Sequence, residues 1–182
     1  MLMLILGGAA SGKSEYAEAA VMNLAAERYY IATMEVSDWE SQKRVERHRQ
    51  MRQNKGFTTI EWPLDLPGLR VPRHGAQAAA LLECASTLLG NELYLPKGAR
   101  EAGWSSILQG VQNLVKQGLA LVVVSNDVFA SGEAYSPEMQ EYLRQLGLLN
   151  CHLAALADEV VEVCCGIPIF HKTSREMLKA QS

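Results

Sequence analysis

No run in this chain reaches the ~18 consecutive apolar residues that a membrane-spanning helix needs. The N-terminal run, Met1 to Leu6, is far shorter and passes straight into glycine. It also lacks the basic start and small-residue cleavage site of a signal peptide. Charge is scarce: 20% of the 182 residues are charged, and the formal net charge is −3. That balance excludes a disordered polyelectrolyte and argues against a broad basic surface for a nucleic-acid backbone. Cysteine is sparse too. Cys84, Cys151, Cys164 and Cys165 show no C-x-x-C spacing, and the adjacent pair could bridge only under strain. They read as reduced core thiols of a soluble, cytoplasmic protein rather than as a disulfide framework. Internal repeats and low-complexity segments are lacking as well. What is plentiful is apolar residue, at 48%, enough for a sizeable core. The length suits a single domain spanning 1–182.

Directly after the N-terminal run stands Gly7-Gly8-Ala9-Ala10-Ser11-Gly12-Lys13-Ser14. This is the G-x-x-x-x-G-K-[ST] phosphate loop in its expected context, with a buried strand before it and a helix after. Glycines let the backbone curl and turn its N–H groups inward. The helix that follows presents its positive dipole end to the same point. Lys13 can reach the β- and γ-phosphates of a nucleoside triphosphate, and Ser14 can offer its hydroxyl to Mg²⁺.

The rest of the chain alternates strand and helix patterns. A helix is expected from Lys13 to Glu27, with an apolar stripe of Tyr16, Ala17, Ala20, Val21 and Leu24. Strands are expected at Tyr29–Thr33, Phe57–Trp62, Ala78–Cys84, Leu119–Ser125, Glu159–Cys164 and Pro168–Lys172. Further helices should cover Ser86–Tyr94, Trp104–Gln117 and Pro137–Ala157, and residues 38–54 should form a polar helical segment on the surface or over the active site. Leu119–Ser125 is apolar throughout, as in a strand covered on both faces. The fold class is therefore α/β: a phosphate-loop nucleotide-binding fold with a mostly parallel sheet and helices on both faces.

Several residues stand where such a sheet places chemistry. Glu83 closes an apolar run, the position from which a carboxylate can hold Mg²⁺; a solvated strand end is the bland alternative. Asn126 and Asp127 follow the next strand in the same way. Glu61 reads by itself as an exposed strand-end carboxylate. His48 lies among Lys43, Arg44, Arg47, Arg49 and Arg52. A neutral imidazole there could attack an α-phosphorus and form a phosphoramidate, with arginines neutralising developing charge. Composition alone favours the other reading, a solvated histidine on a charged helix face. His74, His152 and His171 have no supporting cluster and read as structural.

These motifs in order resemble a known family. Alongside the phosphate loop stand Tyr30-Ile31-Ala32-Thr33, then Arg44-Val45-Glu46-Arg47-His48-Arg49 with Arg52, then Glu61-Trp62. Leu81-Leu82-Glu83-Cys84, Val124-Ser125-Asn126-Asp127-Val128 and Ala157-Asp158-Glu159-Val160 complete the series. The chain is similar to the bifunctional adenosylcobinamide kinase / adenosylcobinamide-phosphate guanylyltransferase, from residue 1 to about residue 172. The arginine-flanked histidine after the Tyr-Ile-Ala-Thr strand is the specific part, since the loop is shared by many families.

The resemblance implies a recombinase-core type of fold and two reactions in cobalamin assembly. Adenosylcobinamide, a corrinoid, is phosphorylated from ATP or GTP, and GMP from GTP is then moved onto that phosphate through a guanylyl-histidine. It assigns the guanylylated residue to His48. It assigns nucleotide contacts to Gly7, Gly8, Ala9, Ala10, Ser11, Gly12, Lys13, Ser14, Thr33, Arg49, Gln50, Met51, Arg52, Glu61 and Glu83, with Mg²⁺ on Ser14 and Glu83. It also implies a homo-oligomer, possible as a trimer. The sequence departs from the family pattern at Ala10, where arginine is usual, at Gln53, and at Phe129, where glycine is usual. A plain small-molecule kinase and a nucleotide-binding regulatory protein are the competing functions.

Overall fold

The computed structural model describes residues 1–35, 39, 43, 46, 54–72, 74, 75, 77–128 and 135–173. Seven strands form one sheet: β1 (Leu2–Leu6), β2 (Glu27–Ala32), β3 (Phe57–Glu61), β4 (Ala78–Glu83), β5 (Ala120–Val124), β6 (Glu159–Cys164) and β7 (Ile167–Lys172). Their spatial order is β3-β2-β4-β5-β1-β6-β7. Every neighbouring pair is parallel except β6 with β7, an antiparallel hairpin at one edge. The named helices are α1 (Lys13–Leu24), α2 (Ala85–Tyr94), α3 (Gly103–Lys116) and α4 (Pro137–Leu156). Trp39, Lys43 and Glu46 are helical as well, and exposed.

Both faces of the central strands are covered, which is why these strands read as continuous apolar runs. Leu4, Leu82, Leu121 and Val123 face one core with Leu88 and Leu89 of α2, Ile107 and Leu114 of α3, and Leu149 and Leu153 of α4. Met3, Ile5, Leu81, Val122 and Val124 face the opposite core, where α1 contributes Ala17 and Val21. The parallel strands bring the residues that follow β1, β4 and β5 to one edge of the sheet, where α/β folds place their ligands.

Helix boundaries follow local chemistry. Cys84 caps α2, its Sγ accepting from the Thr87 amide at 3.4 Å. Ser136 caps α4, its Oγ accepting from the Met139 amide, with Pro137 in the first turn. α1 stops at Leu24, earlier than expected, because Arg28 of β2 takes over its terminal carbonyls. Arg28 Nε donates to Ala25 O at 2.7 Å, and Nη2 donates to Met22 O.

The cysteines correct the reading as core thiols. Cys84 is half-buried and Cys151, Cys164 and Cys165 are exposed. Leu146, Leu149 and Leu153 use up the inward face of α4, which leaves Cys151 outside. Cys164 and Cys165 stand at the hairpin turn, where Cys165 has φ 51 and Gly166 φ 79.

Candidate active site: a phosphate loop against a carboxylate

The segment after β1 is shaped by close backbone contacts. A Cβ on Gly7 would stand 2.5 Å from Ser11 Oγ and 2.7 Å from Val163 O. Ala10 has φ 55 and Gly12 φ 91. At Gly12 an added Cβ would also meet Gly166 Cα at 3.2 Å, so both backbone twist and neighbour require glycine. The Ser11 amide donates to Gly8 O at 3.3 Å, and the Gly166 amide donates to Ser11 O at 2.8 Å. Asp127, after β5, donates its amide to Gly7 O at 3.2 Å. The loop is thus held from below by the β6–β7 turn and from the side by the end of β5, while Gly8, Ala9 and Ala10 stay exposed at its crest. Gly7→Ala is expected to destabilise the fold by about 1–3 kcal/mol, because the Val163 carbonyl cannot move aside cheaply. Urea unfolding measures that loss, and nucleotide titration should show weaker binding alongside it.

Several polar groups of the loop await a ligand. No side chain caps the N-terminus of α1. Its first N–H groups and positive dipole end therefore face the loop's interior. Ser11 Oγ is buried without a hydrogen-bond partner among the described residues. Lys13 is buried to 9% exposure, and its Nζ donates to Gly8 O at 2.8 Å, drawing the ammonium across the cradle. An anion with several acceptor oxygens answers all of these at once.

Glu83 stands opposite. Ser14 Oγ donates to Glu83 Oε1 at 2.6 Å, which links α1 to the carboxyl end of β4. A hydroxyl and a carboxylate oxygen are hard donors that suit Mg²⁺, which usually takes one or two carboxylates and completes its shell with phosphates and water. Among the described residues no group of three or more His, Cys, Asp or Glu could form a protein cage for a metal. The fit is therefore to Mg²⁺ brought in with a triphosphate. Glu83→Gln should lower Mg²⁺-dependent turnover about 10²-fold. Titrating Mg²⁺ into the variant at saturating nucleotide should show a raised metal requirement with the fold unchanged.

Thr33 is fully buried. Its Oγ1 contacts Glu83 O at 2.9 Å and Cys84 O at 3.0 Å and accepts from the Cys84 amide at 2.8 Å. Asn91 Nδ2 then donates to Thr33 O at 2.7 Å and to Pro63 O at 2.9 Å. Thr33 thus fixes the main chain that carries Glu83. Register places Glu61, Ala32 and Glu83 side by side on β3, β2 and β4. Glu61, exposed, is two strands from Glu83, a separation of about 10 Å.

His48, Arg49, Gln50, Met51 and Arg52 lie outside the described residues. Lys43 Nζ stands 5.0 Å from the centre of the Trp39 ring. Lys55, just before β3, pairs with the buried Glu18 of α1 at 2.5 Å.

Sequence reasoning missed a polar chain beside the loop. Ser125 Oγ donates to Asn150 Oδ1 at 2.7 Å, Asn150 Nδ2 donates to Asn126 O at 3.3 Å, and Asn126 Nδ2 donates to Ser86 Oγ at 2.8 Å. The available signal was Asn150, an amide between Leu149 and Leu153 near the inward stripe of α4. Gly166, which braces Ser11, gave no signal beyond a turn glycine.

A parallel sheet whose first strand opens into an uncapped glycine loop, with the loop's serine bonded to a carboxylate two strands away, defines a phosphate-loop nucleotide-binding protein. An ATPase from the type III secretion system of pathogenic bacteria shares this fold, with a TM-score of 0.51 at 11% identity over 98% of this chain and 60% of that one. Within that class the chain belongs to the family described as cobinamide kinase / cobinamide phosphate guanyltransferase, whose model matches residues 3–170. The bifunctional adenosylcobalamin biosynthesis protein CobU of Escherichia coli is 32% identical over 93% of this chain and 98% of that protein. The CobU of Salmonella typhimurium is 31% identical over the same shares. CobP of Pseudomonas aeruginosa is 28% identical over 91% of this chain and 94% of its own length. The chain is thus a transferase of that family, and no helix among its described residues is long and apolar enough to cross a membrane.

Proposed function

We propose that this one loop serves two successive transfers: phosphorylation of adenosylcobinamide from ATP or GTP, and transfer of GMP from GTP onto the resulting phosphate through His48. The observation that carries the reading is the Lys13 ammonium drawn across an anion-binding loop, facing a Ser14–Glu83 pair at 2.6 Å. Family membership supplies the substrates.

In the first transfer the loop amides and Lys13 hold the β- and γ-phosphates. Ser14 and Glu83 would hold Mg²⁺, which would supply neutralisation of the phosphates' developing charge. The acceptor hydroxyl oxygen bonds to the γ-phosphorus, the bond to the β–γ bridging oxygen breaks, and the nucleoside diphosphate leaves; the hydroxyl proton ends on the product phosphate or in water. The protein's part is positioning and charge stabilisation. In the second transfer an imidazole nitrogen of His48 bonds to the α-phosphorus of GTP and pyrophosphate leaves. A phosphate oxygen of the acceptor then displaces the imidazole, which returns to its neutral form. Arg49 and Arg52 clamp phosphates during these steps.

We place the enzyme in the cytoplasm and read it as a homo-oligomer, as a trimer. The exposed apolar edge of β7 supports assembly, with Ile167 at 65% exposure and Phe170 at 45%. Incubation with adenosylcobinamide, ATP and GTP tests the function. Mass spectrometry should find adenosylcobinamide phosphate and then adenosylcobinamide-GDP. Stalling at the phosphate would leave a plain kinase, and an unchanged corrinoid would overturn the reading.

A further inference from the structure

Between α2, which begins just after Glu83, and α4 lies a cavity of about 460 Å³, within the size range of small-molecule sites. Ser86, Thr87, Gly90 and Tyr94 line it from α2, and Met139 and Tyr142 are prominent on the α4 side, with Ser136 and Glu138 at the helix start. The cavity is built onto the catalytic edge. Ser86 comes three residues after Glu83, and its Oγ accepts from Asn126, whose neighbour Asp127 is bonded to Gly7. Its walls are fixed: the Tyr142 hydroxyl donates to Ser86 O at 3.2 Å, and the Tyr94 hydroxyl donates to Glu138 O at 2.8 Å.

Gly90 is the telling residue. It sits inside α2, where glycine is the least favourable residue other than proline. Nothing in the packing of the described residues demands it, because a Cβ built there meets none of their atoms within 4 Å. Its φ is not in the left-handed region either. What a larger residue would occupy is the cavity.

The lining also defines what fits. Among the described residues it includes no Lys, Arg or His, and its one formal charge is the Glu138 carboxylate, so it does not suit a phosphate chain. Two aromatic rings and Met139 offer apolar contact. The Thr87 hydroxyl and the Glu138 carboxylate offer hydrogen-bond partners for an uncharged amide. Burial pushes the Tyr142 phenol up to about 12, so it remains a neutral donor at ordinary pH.

We propose that this cavity is the subsite for the acceptor's reactive arm. The amide-linked hydroxyalkyl chain of the corrinoid lies over Gly90 between Tyr94 and Tyr142, and its hydroxyl is delivered past Ser86 to the phosphate held by Lys13. This rests on the function proposed above. It assigns acceptor binding to α2 and α4, on the sheet face opposite α1.

The test is equilibrium binding of cobinamide, followed by its visible absorption, to wild type, Gly90→Ala and Gly90→Leu with a non-hydrolysable ATP analogue present. Side-chain volume at position 90 should set affinity: Kd should rise a few-fold for Gly90→Ala and at least tenfold for Gly90→Leu. The Kd of the ATP analogue should stay within twofold. Thermal unfolding should show both variants folded, since the added atoms enter open space. Equal cobinamide affinity in all three proteins would overturn the subsite and leave the function standing. A shift in nucleotide affinity instead would assign the cavity to the nucleobase and also overturn it. No cobinamide binding by wild type would overturn the function itself, and the subsite with it.

Discussion

Lys13→Met is expected to lower both transfers about 10³-fold while leaving the fold standing. The Lys13 ammonium donates to Gly8 O at 2.8 Å, in a site only 9% exposed. When a triphosphate enters, the same group faces oxygens whose charge grows as the γ-phosphorus transfers. Losing one preorganised charged donor from such a water-poor site costs about 3–4 kcal/mol of transition-state stabilisation. Methionine keeps the apolar stem packed and removes only the charge, so unfolding free energy should change by no more than about 1 kcal/mol. Steady-state kinetics of both transfers and urea unfolding read the two halves separately. Nucleotide should also cease to raise the melting temperature, because the linkage between binding and stability is lost. Full activity in Lys13→Met would remove the loop from the mechanism.

His48→Ala should split the two reactions. In the proposed mechanism phosphorylation relies on the loop, Ser14 and Glu83, and it should persist. Guanylyl transfer, with His48 as the proposed nucleophile, should fall by about 10⁴-fold or more, the scale on which loss of a covalent catalyst is felt. Wild type incubated with GTP labelled at the α-phosphorus should retain acid-labile label on the protein. His48→Ala should retain none. A labelled His48→Ala protein would place the covalent step on another residue, and an unlabelled wild type would leave a kinase alone.

Much of this fold could be read from residue order, for identifiable reasons. Leu119–Ser125 announced a central strand because both of its faces are covered, and Leu121 and Val122 do pack into opposite cores. Glu83 was legible because a carboxylate ending an apolar run has one reasonable place to point, and Ser14 meets it there. The order of the strands was not legible. β5 inserts between β4 and β1, and nothing in the periodicity of a strand names its neighbours. Thr33 was marked as a nucleotide contact on resemblance. Its hydroxyl is taken up by the main chain at Glu83 and Cys84, a role that appears only when β2 and β4 are paired. Ser86 and Asn150 were silent for the same reason: each is an ordinary polar residue until the ends of α2, β5 and α4 converge. Asn126 was marked by its place after β5, but its bond to Ser86 was not. His48 stood out through its cationic neighbours, and it lies outside the described residues.

The bond from the Gly166 amide to Ser11 O bears on the order in which the molecule becomes competent. The loop's sequence is complete once residue 14 has left the ribosome, yet its last brace comes from a turn more than 150 positions later. β6 is brought to the loop by pairing with β1, so the brace waits for that pairing. Nascent chains that end before the hairpin carry the whole motif without its finished geometry. Triphosphate capture is thereby a late event in the life of the chain, and a nucleotide present at 100 times its Kd then adds about 2.7 kcal/mol to the finished fold. The same molecule that fuels the enzyme acts as a seal on its completed form.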